Sequence, residues 1–582
     1  MWTHTKIICT IGPATNTYDR IVALMKAGMN VARLNFSHGT HEEHLQVIEH
    51  LKKARAMLKM PLAIMLDTKG PEIRIGILPK GELVVRAGSL LRLVREKTED
   101  ADTLPIVPGL ALDCLEMGTK VLIDDGYITT EVVKIEKESI HVRVENEGVI
   151  KNNKGVNIPH ADIPLPAMTE RDIQDIVFGA KNDVDLIAAS FIRSAEHVQE
   201  IKDLLKKEGK SDIQVIAKIE SSQGVKNFDS IVQVADGIMI ARGDLGVELP
   251  IEEVPVLQKM MIQKSVQASK PVITATQMLE SMIKNPRPTR AEASDVANAV
   301  YDGTSCIMLS GETAVGAYPI ETVELMKRIV VQAEKNFDYR AFFYRVSRAD
   351  SHDISTSISL ASVKTAYSTG AKAIIALTSS GNTARSISRF RPEIPIVALT
   401  SSMKTFHQLA FSWGVIPVDP IETSNHQEGL EAASCFARQR GIVQYGDLIV
   451  LTAGTPFGAP GTTNMMIVES VGDVLVRGHG GSGEKLEAKV SIVLSPEKWE
   501  SKPGHIVVLS KYEESYRPIL EQAAGVILQN APEDLVSEEA AVNAAKELGI
   551  PILIRADGAF RILNEDQTVI LNPQKGIVYQ PR

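Results

Sequence analysis

Short apolar runs recur up to residue 309, with stretches of helical period between them. The runs fall at 6–10, 30–36, 62–67, 185–190, 214–220, 237–241, 271–275 and 306–309, and period 3.6 marks 18–27, 41–59 and 195–207. Eight such units in succession predict a closed parallel (β/α)8 barrel, a TIM barrel, whose chemistry sits just past the strand C-terminal ends. The third unit is interrupted. From 70 to 166 the alternation is of period two, and 121–123, Asp125-Gly126 and 128–133 read as a hairpin. An all-β domain inserted at the mouth, able to act as a lid, is the expectation.

Beyond Ser310-Gly311-Glu312 comes a long helix, a polar and aromatic linker at 336–353, and a second α/β pattern with strands at 373–377, 396–399 and 448–452. The Gly-rich stretch 478–483 reads as a linker into a further small domain. The fold class is therefore α/β, in five segments. These are barrel (1–69), inserted β lid (70–167), barrel again (168–340), an α/β C-terminal regulatory domain (341–477) and an extra C-terminal domain (478–582).

Composition narrows the function. With 44% hydrophobic and 23% charged residues among 582, the chain falls in the globular class. No run reaches the roughly 18 apolar residues of a membrane span, and the N-terminus shows no cleavable hydrophobic region. A cytoplasmic location is expected, with no membrane partner. Cys9, Cys114, Cys306 and Cys435 have neither CxxC spacing nor disulfide density, which fits a reducing compartment. A net charge of −9 with no Lys/Arg-rich cluster argues against a nucleic-acid partner.

Candidate chemistry gathers after strands two, three, five and six. Arg33, Asn35 and Ser37 alternate with Ala32, Leu34 and Phe36, which puts the polar groups on one face; an edge strand has the same alternation. Asp67-Thr68-Lys69-Gly-Pro-Glu72-Ile-Arg74 supplies oxygen ligands for a hard cation and guanidinium for phosphate, or else a solvated loop with internal ion pairs. Lys218 and Glu220 share a face at the fifth strand's end, and Asp244 after the sixth adds a second carboxylate, which suits Mg2+. An ion pair explains the Lys218–Glu220 tripeptide equally well. Gly243 and Gly246 permit a tight turn with N–H groups facing a carboxylate. Thr276 offers a hydroxyl at the seventh strand's end, and many such threonines only cap a helix. Leu377-Thr378-Ser379-Ser380-Gly381-Asn382-Thr383 runs from strand through a hydroxyl-rich loop into a helix, a ready phosphate cradle or an ordinary cap.

Taken together, the segments from Thr10-Ile-Gly-Pro through Arg33-Leu-Asn-Phe-Ser-His-Gly, Leu66-Asp-Thr-Lys-Gly-Pro-Glu-Ile-Arg, Lys154-Gly-Val-Asn, Lys218-Ile-Glu, Ala241-Arg-Gly-Asp-Leu-Gly and Ala275-Thr-Gln-Met-Leu to Met308-Leu-Ser-Gly-Glu-Thr closely resemble the pyruvate kinase family. The resemblance runs in order from residue 1 to about 475. It implies a phosphotransferase that passes the phosphoryl group of phosphoenolpyruvate to ADP, the last step of glycolysis. It also implies K+ at Asn35, Ser37, Asp67 and Thr68, and Mg2+ or Mn2+ at Glu220 and Asp244. Lys218, Arg74 and Thr276 would be catalytic. Arg33, Lys218, Gly243, Asp244 and Thr276 would bind substrate, and Asn35, His38, Arg74 and Lys154 would face the nucleotide.

Glu72 resembles the K+-dependent members, where a Lys at that position can stand in for the ion. The loop Thr378, Ser379, Ser380, Gly381, Asn382 and Thr383 resembles the family's allosteric site for a sugar-phosphate or nucleotide effector. Relatives are homotetramers. The tail resembles the mobile phosphohistidine domain of phosphoenolpyruvate-utilising enzymes, but no histidine stands near Leu535-Val-Ser-Glu-Glu-Ala-Ala, so phosphoryl carriage there is not expected. A Mg2+-dependent lyase of similar barrel type is the rival enzyme; Arg33, Arg74, Lys154 and the lid argue against it. A catalytically silent scaffold is the rival outside enzymes, and Lys218, Glu220 and Asp244 are all present.

Overall fold

Parallel strands covered by helices on the outside and by one another on the inside are buried on both faces, and so read as unbroken apolar runs. The computed structural model, which describes residues 2–96, 100, 102–137, 139–348, 353–456 and 461–581, has eight such runs. They are β1 (Lys6–Thr10), β2 (Val31–Asn35), β3 (Ala63–Asp67), β4 (Leu186–Ala189), β5 (Gln214–Ile219), β6 (Gly237–Ala241), β7 (Val272–Ala275) and β8 (Cys306–Leu309). They close in the order β1-β8-β7-β6-β5-β4-β3-β2, with every described pairing parallel. Ile8, Met65, Leu186, Ile216, Met239, Ile273 and Met308 fill the interior with Phe411. Capping boxes at Thr40/Glu43, Thr169/Asp172 and Thr289/Glu292 start three of the outer helices.

The insertion is itself a closed barrel of seven strands, with its own core around Ile75, Leu93, Val121, Ile123 and Val142. Its hairpin joins Lys120–Ile123 to Ile128–Ile135, and the closing pair Ile123↔Ile128 leaves a loop of 124–127. The connection is therefore longer than the two-residue Asp-Gly turn expected. Asp124, Asp125 and Gly126 all take positive φ there (56°, 54°, 81°), a conformation that Asp and Gly tolerate best.

Past the barrel, a five-stranded sheet runs in the order Val415–Pro417, Ile396–Leu399, Ala373–Leu377, Leu448–Gly454, Thr463–Ser470. An eight-stranded sheet runs in the order Val474–Arg477, Ile577–Tyr579, Thr568–Asn572, Leu486–Ile492, Ile506–Leu509, Gly525–Leu528, Ile552–Ile554, Gly480–Ser482. The chain falls into two compact units, 1–360 with 376–424 and 453–464, and 361–375 with 425–452 and 465–582. The second unit holds the whole eight-stranded sheet, with Val490, Ile506, Val508, Val569 and Leu571 in one core cluster and Val507, Leu509, Tyr516 and Ala541 in another.

The stretch 478–483 is not a linker. Gly480–Ser482 is an edge strand with Gly480↔Ile554 and Ser482↔Ile552 in register. Its glycines are there for close approach: a Cβ on Gly478 would sit 2.5 Å from the Ile554 carbonyl, and one on Gly481 2.5 Å from that of Ile552. No described helix is long and apolar enough to cross a membrane.

Candidate active site

The C-terminal ends of β2 to β7 carry the polar groups. Asn35 and Asp67 are register partners at the ends of β2 and β3, so their side chains leave the sheet on the same side. Asp67 is fully buried. Its Oδ2 accepts from Arg33 Nε (2.6 Å) and its Oδ1 from Lys218 Nζ (3.0 Å) at the end of β5. Burial opposes its charge, but Arg33 and Lys218 overcome that and hold the carboxyl below the usual range.

The Lys218 ammonium lies 3.0 Å from Glu220 Oε1 as well, and it donates to Ser190 Oγ at 2.6 Å. Burial works against this ammonium too, yet Asp67 and Glu220 outweigh it and raise its pKa above the ordinary value, so Lys218 stays charged. Glu220 accepts from the Phe191 N–H (2.5 Å) on the far side. The expected Lys218–Glu220 pair is thus one edge of a larger buried cluster, tied to β3 through Asp67.

Asp244 stands in the first turn of a helix, Arg242–Glu248, that follows β6 directly. The tight Gly243/Gly246 turn does not form. Neither glycine takes positive φ, and the Gly243 N–H is used by Thr276 Oγ at 2.8 Å, not left free for a carboxylate. Thr276 and Gln277 both lie in the left-handed region (φ 69° and 54°), a strained conformation for a β-branched residue that surrounding contacts must enforce. Arg242 supplies them, donating to the carbonyls of Ala275 (3.2 Å) and Thr276 (2.7 Å). Burial pushes Asp244 up to about 7, with help from the Glu220 and Asp125 charges and opposition from Lys218.

A cavity of about 280 Å³ between lid and barrel brings together Arg74, Lys154, Asp124, Asp125, Arg193 and Asp244. Arg74 is paired with Glu72 (Nε to Oε2, 2.5 Å) and donates to the Asn153 carbonyl; Lys154 donates to Asp124 (2.7 Å). The lid also touches the barrel where Asn157 donates to Glu248 (3.0 Å). Of the expected mouth residues Arg74, Lys154 and Asp244 line this cavity, and Arg33, Asn35, Ser37, His38, Asp67, Thr68, Lys218, Glu220, Gly243 and Thr276 do not. Ser37 donates its N–H to Asn35 Oδ1 (3.1 Å), Thr68 Oγ accepts from the Ser190 N–H (3.1 Å), and His38 is exposed. Sequence reasoning missed Ser190 and Arg193. Both follow β4, where the strand-end rule points, but a lone Ser and Arg carry no spacing signal. Arg193 is buried with an unpartnered Nε, and burial lowers its pKa to about 10 despite Glu220 and Glu248.

Among the described residues no group of three or more His, Cys, Asp or Glu gathers as a metal site. Glu220 and Asp244 offer two carboxylates, and the remaining positions of a divalent ion would fall to substrate and water oxygens.

Away from the mouth, Thr378, Ser379, Ser380, Asn382 and Thr383 line a cavity of about 360 Å³ together with residues that include Thr400 and Glu422. Gly381, with φ 84°, is the helix N-cap residue and donates its N–H to Thr378 Oγ (2.9 Å). In the tail, the start of helix Leu535–Leu548 is closed by a bidentate Arg555–Glu538 pair (2.7 and 2.9 Å).

Comparison with known proteins agrees with this geometry. Residues 2–323 match the family described as "Pyruvate kinase, barrel domain", and 356–469 match "Pyruvate kinase, alpha/beta domain". A pyruvate kinase of Geobacillus stearothermophilus is 42% identical over 99% of this chain and 98% of its own length, and one of Bacillus licheniformis is 43% identical over 99% of each. The crystal structure of a pyruvate kinase from Cryptosporidium parvum superposes with a TM-score of 0.77 at 38% identity, covering 81% of this chain and 96% of that one. The chain belongs to the pyruvate kinase family of phosphotransferases.

Proposed function

We propose that the cluster at the barrel mouth performs phosphoryl transfer from phosphoenolpyruvate to ADP, with Lys218 as the central catalytic residue. The observation that carries this is the buried Lys218 ammonium, fixed between Asp67 and Glu220 at 3.0 Å from each, beside Asp244. Such transfer asks a protein for positioning and charge more than for covalent chemistry.

The donor set fits the two ions. Glu220 and Asp244 are hard oxygen donors whose mutual repulsion a divalent cation, Mg2+ or Mn2+, relieves. Asn35, Ser37, Asp67 and Thr68 are an all-oxygen set suited to K+. When bound, the divalent cation neutralises charge that develops on the phosphoryl and enol oxygens. Arg33 and Arg74 hold the phosphoryl group beside Lys218. Lys154 and His38 serve the nucleotide with Asn35 and Arg74, and the lid excludes water. Thr276 and Asp244 orient the substrate carboxylate, Gly243 acting only through the N–H it donates to Thr276, and the Thr276 hydroxyl orders the water path that carries a proton to the methylene carbon.

The loop 378–383 takes the phosphate of a sugar-phosphate or nucleotide effector. The barrel, lid and α/β domain as divided above, a homotetramer, a cytoplasmic location and a tail that packs or regulates without carrying phosphoryl groups complete the reading, with the tail's sheet beginning at Val474 and not at 478. The test is ATP and pyruvate formation from phosphoenolpyruvate and ADP at fixed Mg2+, with K+ present or replaced by a large organic cation. Turnover only with K+ supports both the transfer and the K+ site. Turnover in both buffers removes K+ alone, and aldol cleavage that needs no ADP moves the assignment to the lyase.

A further inference from the structure

Four cations converge in the first unit near the N-terminal ends of β7 and β8, the opposite strand ends from those that carry the catalytic residues. Lys270 precedes β7, and Arg385, Arg389 and Arg391 come from the helix Asn382–Ser388 and the turn after it. They line one cleft with Ser269 and Ser305. Among the described residues none of the four lies within ion-pair distance of a carboxylate, although charges of this kind are ordinarily paired when buried. The acids that act on them do so at longer range, Asp236 on Lys270 and Arg385, and Asp353 on Arg389.

Arg391, only 2% exposed, spends its nitrogens on the Gly303 carbonyl, Ser388 and Ser305 Oγ, and so is a structural tie that adds its field. The others have donors to spare. Arg389, 8% exposed, has a buried Nε with no partner, and among the described residues its guanidinium has one hydrogen bond, a long one to Ser269 Oγ (3.4 Å). Arg385 donates one nitrogen to the Ser380 carbonyl and Asn382 Oδ1 and leaves buried Nη1 unpartnered. Among the described residues the Lys270 ammonium has no hydrogen-bond or ion-pair partner. Burial lowers the pKa of all four, to about 10 for Arg385 and about 9 for Arg391, as expected where no anion compensates them.

We propose that this cleft binds a phosphoryl group, at a site separate from both the barrel mouth and the hydroxyl-lined loop. Guanidinium forks match phosphate oxygens in geometry and number of donors. The cleft has about 10 Å³ for the centre of a water-sized atom, room for one oxygen, and is otherwise open to solvent. One phosphoryl oxygen therefore enters among Arg385, Arg389 and Lys270, and the rest of the ligand stays in the open mouth. Arg385 also holds the backbone of the loop at Ser380, so the two sites share a side chain.

The test uses the full chain, with selenate as a tetrahedral oxyanion visible by anomalous scattering and inorganic phosphate as the solution probe. A selenium peak within hydrogen-bond distance of Arg389 Nε is expected. Calorimetric phosphate affinity for a site not competed by phosphoenolpyruvate should weaken at least about tenfold in Lys270→Ala and in Arg389→Lys. The Lys270 side chain has no hydrogen bond to lose among the described residues, so its variant should fold and keep basal turnover even if Arg389→Lys does not fold. Glycerol 1-phosphate binding equal to phosphate would locate recognition in the phosphoryl group alone, and tighter binding would extend it to the mouth; both support the site. No peak in the cleft, or affinity unchanged in Lys270→Ala, overturns it.

Discussion

Divalent-metal affinity should titrate with a midpoint near neutrality. Burial and the Glu220 charge push the Asp244 carboxyl up to about 7, and a metal ligand must be deprotonated, so binding displaces a proton. For a single linked proton the apparent Kd is multiplied by one plus ten to the power (pKa − pH). That makes Mn2+ binding about tenfold weaker at pH 6 than at pH 8, and about a hundredfold weaker at pH 5. At pH 7 about half a proton should be released per ion. Calorimetry in two buffers of different ionisation enthalpy reads that release directly. The sign for the metal-free fold is opposite to that of a salt-bridged carboxylate. The folded state holds its proton above the ordinary carboxylate range, so stability is greatest at low pH and declines as pH rises from about 4 to about 7. Asp125→Asn removes one of the raising charges and should move the midpoint down. A Kd that is flat from pH 6 to 8, with no proton released, would refute the placement of Asp244 as a buried ligand beside Glu220.

Three further outcomes follow from named contacts. Lys218→Met should cost at least about 10² in kcat in an ATP-forming assay and should destabilise the metal-free protein by about 3–5 kcal/mol in urea titration, because Asp67 and Glu220 lose their shared cation; turnover within threefold of the parent contradicts the assignment. Glu72→Lys should bring the ratio of rates with and without K+ towards unity, and a ratio unchanged from the parent sinks the substitution argument. Gly481→Ala forces a Cβ against the Ile552 carbonyl and should destabilise the second unit by about 1–3 kcal/mol, seen as faster limited proteolysis there, whereas Gly549→Ala, with open space but φ 68°, should cost only about 1 kcal/mol.

The barrel was legible because its strands are buried on both faces, and β1, β6 and β8 match their apolar runs to the residue. The run 30–36 overreads β2 by a residue at each end, since Phe36 is apolar but already leaves the strand for the turn that carries Ser37. Val415–Pro417 was not visible, being three residues long and ending in proline. The stretch 478–483 misled for a physical reason: glycine marks both a flexible chain and a backbone pressed against its neighbour, and composition cannot tell the two apart. At the site, i, i+2 spacing gave the Lys218–Glu220 pair. It could not give Asp67–Lys218, 151 residues apart, because barrel closure and not local period sets which strand ends face each other. Nor could it show that Thr276 occupies the Gly243 N–H.

Charge balance supports the proposal that the cluster takes a metal before its substrate. Arg33 and Lys218 bring two positive charges against the carboxylates of Asp67, Glu220 and Asp244. The cluster of these five groups is therefore left with one excess negative charge once Asp244 ionises, and the Glu220 charge adds to burial in raising the Asp244 pKa. Phosphoenolpyruvate carries both a carboxylate and a phosphate, so its approach to the metal-free site meets like charge from buried carboxylates, whose repulsion is less screened than in water. In the proposed arrangement, a divalent cation between Glu220 and Asp244 would reverse the sign of the balance. Calorimetric binding of phosphoenolpyruvate should accordingly be at least about tenfold tighter with Mg2+ than in chelator at pH 8. At pH 5.5, where Asp244 is mostly neutral and Mg2+ itself binds poorly, the gap should narrow. Equal affinity with and without Mg2+ at pH 8 would mean that Arg33, Arg74 and Lys218 alone hold the substrate, and that the two carboxylates face elsewhere.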